Sequence, residues 1–296
     1  MEALSLAAGK RELRPQAAAR LVRQVAGARD KGGRAYARPE AIANYLSQHA
    51  DTTVLEGITD AVVVFTTDWD RIVTRCFGPR EGAFLDYSIH QVRGFRFLLA
   101  NVTPGAASAC HYLEVLISLG VRRFLVLGHS GALTGHLRLG DLVVHTQALC
   151  GDAISVRYQR SSRIARPHPR LAAVLERTCG LVEFDAPPLR FDCGPTVTVD
   201  SMFHQTSAAM TKMRCSGALT LEAEVAAIFA LAKRRGVEAA SLSVVSNLCY
   251  TRSWVQGWWS PEVLRAKYAM VFIALGALGF AVPASTGSRG ATQEEE

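Results

Sequence analysis

The chain has 296 residues, of which 49% are hydrophobic and 20% are charged. A chain of this length and apolar content can bury a large core, which excludes a disordered or fibrous protein. The seven cysteines are scattered, odd in number and without a C-x-x-C pair. This pattern excludes a small disulfide scaffold and indicates a reducing compartment, so we expect a cytoplasmic protein.

The net charge of +7 is concentrated at the start of the chain, because residues 1–38 contain nine Lys and Arg against three Asp and Glu. The rest of the chain is nearly neutral, so we expect no nucleic-acid binding by the core. The basic, Ala-rich arm is typical of either a solvated, partly helical extension or an organelle transit peptide. We predict a basic extension over 1–60, a single domain over 61–282 and a polar tail over 283–296.

Short apolar runs alternate with helical patterns through the predicted domain. The predicted strands are 61–66, 95–101, 123–127, 141–146, 195–199 and 240–246, and the predicted helices are 106–119, 169–179 and 218–235. Strands that are apolar on both faces and separated by helices indicate an α/β fold. We therefore predict a three-layer domain with a mixed central β-sheet flanked by helices.

One apolar stretch needs to be distinguished from a membrane span. Residues 268–282 (YAMVFIALGALGFAV) are uncharged. The stretch is shorter than the roughly 20 residues that cross a bilayer, and it follows an amphipathic opening at 261–265. We predict a terminal helix packed into the core and no association with a membrane.

Ligands of such sheets bind beyond the carboxyl ends of the strands. Small or polar residues follow five of the predicted strands, at 67–68, 103–105, 128–131, 200–201 and 247. These segments are where we expect the functional site.

Several of these segments carry motifs in a fixed order. GHSGAL at 128–133, followed by LRLGDLVV at 137–144, resembles the signature G-T-x-G-x-L…L-x-x-G-D-I-V-V of the nucleoside phosphorylase superfamily. TDWDR at 67–71, TVDSMF at 198–203 and LEAEVAAIF at 221–229 resemble three further motifs of that family, G-D-P-x-R, S-D-x-F-Y and V-E-M-E-A-A-A-L-F. The resemblance covers roughly residues 60–280 and implies a phosphorylase-like fold that cleaves nucleosides.

Cleavage of an N-glycosidic bond passes through a sugar with oxocarbenium character, which a carboxylate can hold through the ribose hydroxyls. The resemblance implies that Glu224 is this ligand and that Glu222 lies near the sugar or the base. Two acids in the first turn of a helix could also simply complement the helix dipole, so both interpretations stay open. The family's methionine between them is Ala223 here, which widens the predicted pocket.

The departing base is expected to lie near Asn247, where the family's purine enzymes carry an Asp and its uridine enzymes an Asn followed by Arg. An amide donates and accepts hydrogen bonds but is no general acid near neutral pH, which favours a pyrimidine or another neutral leaving group. Phe203 is predicted either to stack on the base or to belong to the core. Asp200 and Gln205 are further predicted substrate contacts.

The attacking phosphate requires an anion-binding cradle. The resemblance implies Arg71, Asp68 and His129 in this site. Ser130 and Gly131, which follow His129 in the same turn, are predicted substrate contacts. His129 stands in place of the family's threonine and is expected to donate to phosphate when protonated, to act as a base on water, or to be merely structural. The arginine that the family places two residues before this turn is Val126, so the cradle is altered.

We therefore predict a nucleoside phosphorylase-like pentosyltransferase that splits a purine or uridine-like nucleoside into base and ribose 1-phosphate. Phosphate is expected as co-substrate, with no cofactor and no metal. A hydrolase that uses water and a non-catalytic nucleoside binder remain as alternatives. The family assembles as dimers to hexamers, so we expect a homo-oligomer. The aromatic loop with Trp254, Trp258 and Trp259 covers the pocket or, the interpretation we favour, buries an oligomer contact.

Overall fold

The computed structural model describes residues 38–184, 188–251, 253–280 and 285–286. At 183–184 and 285–286 it describes only the backbone. The basic arm over 1–37 and nearly all of the predicted tail over 283–296 lie outside the described residues. The domain boundaries at 60 and 283 stay predictions.

The helices and strands alternate along most of the chain. The helices are α1 Pro39–His49, α2 Asp68–Phe77, α3 Ala106–Ser118, α4 Ser155–Tyr158, α5 Pro169–Leu181, α6 Ser207–Cys215, α7 Val225–Arg235 and α8 Pro261–Ala277. The strands are β1 Asp60–Val64, β2 Gly82–Phe84, β3 Tyr87–Val92, β4 Phe95–Asn101, β5 Arg123–Ala132, β6 Leu142–Gly151, β7 Ile164–Ala165, β8 Glu183–Phe184, β9 Phe191–Val199, β10 Thr220–Glu222, β11 Glu238–Leu248, β12 Val255–Gln256 and β13 Ser285–Thr286.

The central sheet is mixed, as the sequence predicts, and part of it closes on itself. β1 pairs in parallel with β4 and β5, and β3 and β2 continue the sheet as an antiparallel hairpin. β5 also pairs with β11 and with β10, while β11, β6, β9 and β10 pair in turn. These last pairings close β5, β11, β6, β9 and β10 into a barrel, a closure that the sequence did not predict.

Helices cover the sheet on two sides, which confirms the predicted three-layer α/β architecture. One core cluster lies under α3 and α7 and includes Leu113, Leu116 and Phe229. The other lies under α2, α5 and α8 and includes Ile72 and Met270. Burial of these side chains on both faces of the sheet is the main source of stability of the fold.

Helix α8 holds the apolar stretch that resembles a membrane span. Most of its side chains are fully buried in the core cluster shared with α2 and α5, which confirms the predicted terminal core helix. Among the described residues, the helices are all too short or too polar to span a lipid bilayer.

The predicted helix over 218–235 is wrong in its first part. Residues Thr220–Glu222 form strand β10, which fills the barrel between β9 and β5, and the helix begins only at Val225. Glu222 and Glu224 are therefore not two acids in the first turn of one helix, since the first lies in a strand and the second is the residue before the helix.

Several strands run further than predicted, and in two of them this changes the setting of the motifs. β5 continues through Ala132, so residues 128–131 lie in a strand rather than in a loop. β11 continues to Leu248 and contains Asn247 behind a β-bulge. The expected loop residues are thus held by ladder hydrogen bonds and not by loop packing.

The parallel strands β4, β1, β5 and β11 point the same way, so their carboxyl ends form one edge. The turn after β1 leads into α2, and the turn after β4 leads into α3 at Gly105. The predicted functional segments at 67–68, 103–105, 128–131 and 247 all belong to this edge.

Candidate active site

Glu224 is brought to the turn after β4 by a hydrogen bond across the domain. The Gly105 backbone N–H, at the amino end of α3, donates to Glu224 Oε1 at 2.7 Å. Gly105 has a φ of 112°, a conformation that favours glycine. Glu224 is only 8% exposed, and burial raises the pKa of its carboxyl against the opposing effect of the Gly105 hydrogen bond. The result is a buried acidic group fixed at the carboxyl edge of the sheet.

Glu222 has a different setting, because both of its oxygens are used within the protein. Thr198 Oγ1 donates to Oε1 at 2.5 Å, and the backbone N–H groups of Glu224 and Val225 donate to Oε2 at 2.7 and 2.6 Å. Thr198 Oγ1 also accepts from the Ala226 N–H at 2.8 Å. Burial, followed by the neighbouring Glu224 carboxylate, raises the pKa of Glu222. Glu222 thus caps α7 and orients Glu224, and its contact with a substrate stays a prediction.

Replacing Glu222 by alanine is expected to lower the free energy of unfolding by about 2 kcal/mol, because the first N–H groups of α7 lose their acceptor. Urea unfolding monitored by circular dichroism measures this change. Thr198→Val provides the matched comparison in a double-mutant cycle. The two effects are expected to be less than additive, since both residues serve the same helix start, and strict additivity would contradict the capping role.

Gly131 lies where three strands of the barrel meet. Its Cα is paired with Leu221 of β10 on one side and with Asn247 of β11 on the other. A Cβ at Gly131 would lie 2.6 Å from Cys249 Sγ and 3.2 Å from Leu221 Cδ2, so the position has no room for a side chain. The preceding Ser130 is buried, and its hydroxyl is hydrogen-bonded to Ser243 Oγ at 2.8 Å. Glycine therefore keeps β10 and β11 close together at this edge.

Asn247 is buried at the same edge and is only partly satisfied. Its Nδ2 donates to Ser246 Oγ at 3.0 Å, whereas its buried Oδ1 has no hydrogen-bond partner among the described residues. A buried amide oxygen without a partner is costly unless a ligand supplies a donor. Asn247 can accordingly accept an N–H group.

The turn after β1 holds a buried ion pair that the sequence did not reveal. Lys267 Nζ, from α8, contacts Asp68 Oδ2, and Thr66 Oγ1 donates to Asp68 Oδ1 at 2.6 Å. The Lys267 ammonium lies 4.6 Å from the ring centroid of Trp69. Lys267 is only 3% exposed. Burial lowers the pKa of Lys267, and the Asp68 carboxylate opposes this effect.

His129 lies within the electrostatic range of this pair. Burial, followed by the Lys267 charge, lowers the pKa of His129 to about 4, while Asp68 acts in the opposite direction. Its Nε2 is buried without a hydrogen-bond partner among the described residues. The ring is therefore neutral near pH 7, where it can donate one N–H but adds no positive charge. Arg71, on the exposed side of α2, is close enough to lower the pKa of Lys267.

The segment after β9 is not brought into contact with these groups. Asp200 Oδ2 accepts from the Ala153 N–H at 3.0 Å, and Gln205 Nε2 donates to Ser201 O at 2.7 Å. Phe203 is 87% exposed and meets the Trp254 ring edge-on at 6.2 Å. Phe203 is thus no core residue, and the substrate contacts predicted for this segment stay predictions.

The sequence analysis did not predict a role for two residues of the site, Lys267 and Thr198. Lys267 is the last charged residue of α8 before a long apolar run, and this position was the signal that could have found it. Thr198 is hidden in a β-strand, where a threonine is common and indicates no function.

A separate cleft of about 440 Å³ lies at the amino end of β1, between α1 and the end of α3. Glu56 is the one ionisable residue in its lining. Glycosyl transfer needs several charged and polar groups, so the carboxyl edge remains the candidate site. Within the described ranges, no group of three or more His, Cys, Asp or Glu side chains could hold a metal ion.

Comparison with known proteins agrees with this placement of the motifs. The model of the phosphorylase superfamily matches residues 70–259, which contain β2 to β12 and most of the edge described above, but not β1 and the turn at 67–68. The chain therefore belongs to the phosphorylase superfamily.

Named relatives match the chain over about half of its length. A guanosine phosphorylase of Halorubrum lacusprofundi is 30% identical over 154 residues, which are 52% of this chain and 62% of that protein. Purine nucleoside phosphorylases of the DeoD type from Caldanaerobacter subterraneus and Bacillus cereus are 24% and 25% identical, over 54% of this chain and 67% and 66% of theirs. The match to the guanosine phosphorylase thus spans less than two thirds of that protein.

Proposed function

We propose that this protein cleaves the N-glycosidic bond of a purine nucleoside with inorganic phosphate. An oxygen of hydrogen phosphate bonds to C1′ of the ribose, and the bond from C1′ to the base nitrogen breaks. The base leaves with the bonding electron pair and ends with the proton that hydrogen phosphate loses. The products are the free base and ribose 1-phosphate.

The buried Glu224 carboxylate is the observation that carries the proposal. It lies at the carboxyl edge of the sheet with Oε1 held by the Gly105 N–H, in a superfamily member. A carboxylate fixed by the backbone can accept hydrogen bonds from the ribose hydroxyls without reorganising. As positive charge develops on the sugar, this negative charge stabilises the transition state more than the ground state.

Asn247 is proposed to hold the base. Its Oδ1, which has no partner among the residues that the structure describes, accepts an N–H of the heterocycle, and this hydrogen bond compensates the burial of the acceptor. The amide cannot protonate the base, so its role is orientation. We propose a purine because the matched relatives are named guanosine and purine nucleoside phosphorylases.

The phosphate is proposed to bind beside the turn after β1. Arg71 on α2 offers a guanidinium there, and the neutral His129 offers an N–H at the end of β5.

Hydrolysis is the second candidate, and the buried Val126 favours it. Val126 is 1% exposed in β5 and carries no charge at the position where the resemblance implies an arginine. A weaker anion site would allow water to take the place of phosphate. The two candidates differ only in the attacking oxygen.

A nucleoside panel decides between the two candidates. Guanosine, inosine, adenosine and uridine are incubated with the full chain, with and without phosphate, and the released base and ribose 1-phosphate are measured by chromatography. We expect guanine and ribose 1-phosphate in the presence of phosphate and no base in its absence. Base release with free ribose in phosphate-free buffer would establish hydrolysis, and no release from any nucleoside would contradict both candidates.

A further inference from the structure

Lys267 is a buried cation that the proposed roles do not yet use. It is 3% exposed, projects from the apolar helix α8 and reaches the turn after β1. An ammonium group at such a depth loses most of its hydration, which costs free energy unless the charge has partners or a use. A hydrophobic residue of similar volume would fit the surroundings of α8 at least as well.

Among the described residues proposed for the anion site, few carry a positive charge. Val126 is uncharged where the resemblance implies an arginine, and His129 is neutral near pH 7. Of these described residues, only Arg71 would offer a positive charge to a phosphate that carries nearly two negative charges. Phosphate sites in proteins generally surround such an anion with several donors.

The position of Lys267 matches this shortage. Its Nζ contacts Asp68, in the first turn of α2, one helical turn from Arg71. His129 lies close enough to Lys267 and Asp68 that the charges of both affect its pKa. The buried His129 Nε2 has no hydrogen-bond partner among the described residues, so it is free to contact a ligand there. The cation thus stands at the same turn as the other groups proposed for phosphate.

The partners of Lys267 leave it the capacity to bind an anion. Asp68 takes one of the three donors of the ammonium group, and the Trp69 ring lies against its charge at 4.6 Å. Thr66 Oγ1 donates to the other oxygen of Asp68, which fixes that carboxylate. Asp68 therefore aims the ammonium group rather than saturating it.

We propose that Lys267 binds the phosphate directly and that Asp68 holds the ammonium group of Lys267 in place. Lys267 then takes the role of the arginine that the resemblance implies at position 126. The inference rests on the proposed phosphorolysis. It assigns the affinity for phosphate to a residue of the last helix, outside the recognised motifs.

The test is Lys267→Met, which keeps the approximate volume of the side chain and removes its charge. We expect KM for phosphate to rise at least tenfold while KM for guanosine stays within twofold, because one charge-assisted hydrogen bond to phosphate is lost. The Kd of inorganic phosphate for the full chain, measured by titration calorimetry, is expected to rise by the same factor. Lys267→Arg keeps the charge and should retain phosphate binding better than the Met variant.

Lys233→Met, which removes an exposed lysine from α7, is the matched control and should leave both KM values unchanged. Circular dichroism checks the fold of each variant, and Lys267→Gln replaces Lys267→Met if that protein does not fold. Unchanged KM and Kd for phosphate in a folded, uncharged variant would overturn the role of Lys267 and leave phosphorolysis intact. If the rate of base release by the wild type did not depend on phosphate, this result would instead overturn the proposed function.

Discussion

Replacing Glu224 by alanine is expected to lower kcat/KM for nucleoside cleavage by about a hundredfold or more, because the transition state loses a buried negative charge and its hydrogen bonds to the sugar. The fold should survive, since Glu224 precedes α7 and the cap of that helix is supplied by Glu222 and Thr198. Initial rates with guanosine and phosphate, together with thermal unfolding, measure both effects.

Glu224→Gln separates the charge of the side chain from its shape. The amide oxygen can still accept the Gly105 N–H, so the turn after β4 should keep its position. We expect kcat to fall while KM changes little, because charge on the ribose develops mainly in the transition state. Glu176→Gln, at an exposed site on α5, is the matched control. Wild-type rates in both Glu224 variants would remove this residue from the active site.

The strands were predictable because their signal is local. Burial on both faces makes short apolar runs, and β4 begins and ends where the sequence predicts. The ends of β5 and β11 were not predictable in the same way. Their last residues are polar or small and are held by pairing to each other. A pattern of hydrophobic residues contains no information on such pairing.

The error at 218–235 has the same origin. Leu221 continues the apolar spacing of α7, yet it pairs with Val197 of β9 and with Gly131 of β5 across the barrel. Glu222 then ends the strand and caps the helix. A local pattern could not show this, because the strands that pair with β10 lie elsewhere in the chain.

The candidate site was predictable where a motif carries it. Glu224 was predicted from its motif and Asn247 from its position after a predicted strand, and both are buried at the carboxyl edge, while their roles stay predictions. Lys267 was not predicted, because its partner Asp68 is 199 residues away in the sequence. Ion pairs of this kind depend on the packing of α8 against α2, which only the folded structure shows.

A network of side-chain hydrogen bonds lies inside the barrel, around His145 of β6. Its Nδ1 is hydrogen-bonded to Ser241 Oγ at 3.0 Å, and its Nε2 to Ser243 Oγ at 3.1 Å and Thr220 Oγ1 at 3.3 Å. Ser243 continues the chain of hydroxyls to Ser130, the residue after His129. Fully satisfied polar networks fix the relative position of the strands that contribute to them. His145 therefore links the interior of the barrel to the candidate site.

His145 is expected to make the stability of the protein sensitive to acid. Burial lowers the pKa of His145 to about 3, well below its ordinary value of 6.5. The unfolded chain therefore binds a proton at a pH at which the folded protein does not. The contribution of His145 is fully present above about pH 6.5 and decreases as the pH falls, by about 1.4 kcal/mol per pH unit.

His145→Gln removes this titration and keeps a side chain that forms hydrogen bonds. At pH 7 the wild type is expected to be the more stable protein, because glutamine satisfies fewer of the hydroxyls in the barrel. Between about pH 6.5 and 4.5 the difference in unfolding free energy should shrink by about 2 kcal/mol. Urea unfolding of both proteins at several pH values measures it.

The comparison with the variant isolates His145 from the other buried groups. Glu222 and Glu224 have raised pKa values and shift stability in the opposite direction as the pH falls, but both proteins contain them, so they cancel in the difference. His204→Gln, which changes an exposed histidine, should follow the wild type at every pH. A difference between wild type and His145→Gln that stays constant from pH 7 to 4.5 would show that the barrel does not hold His145 in its neutral form.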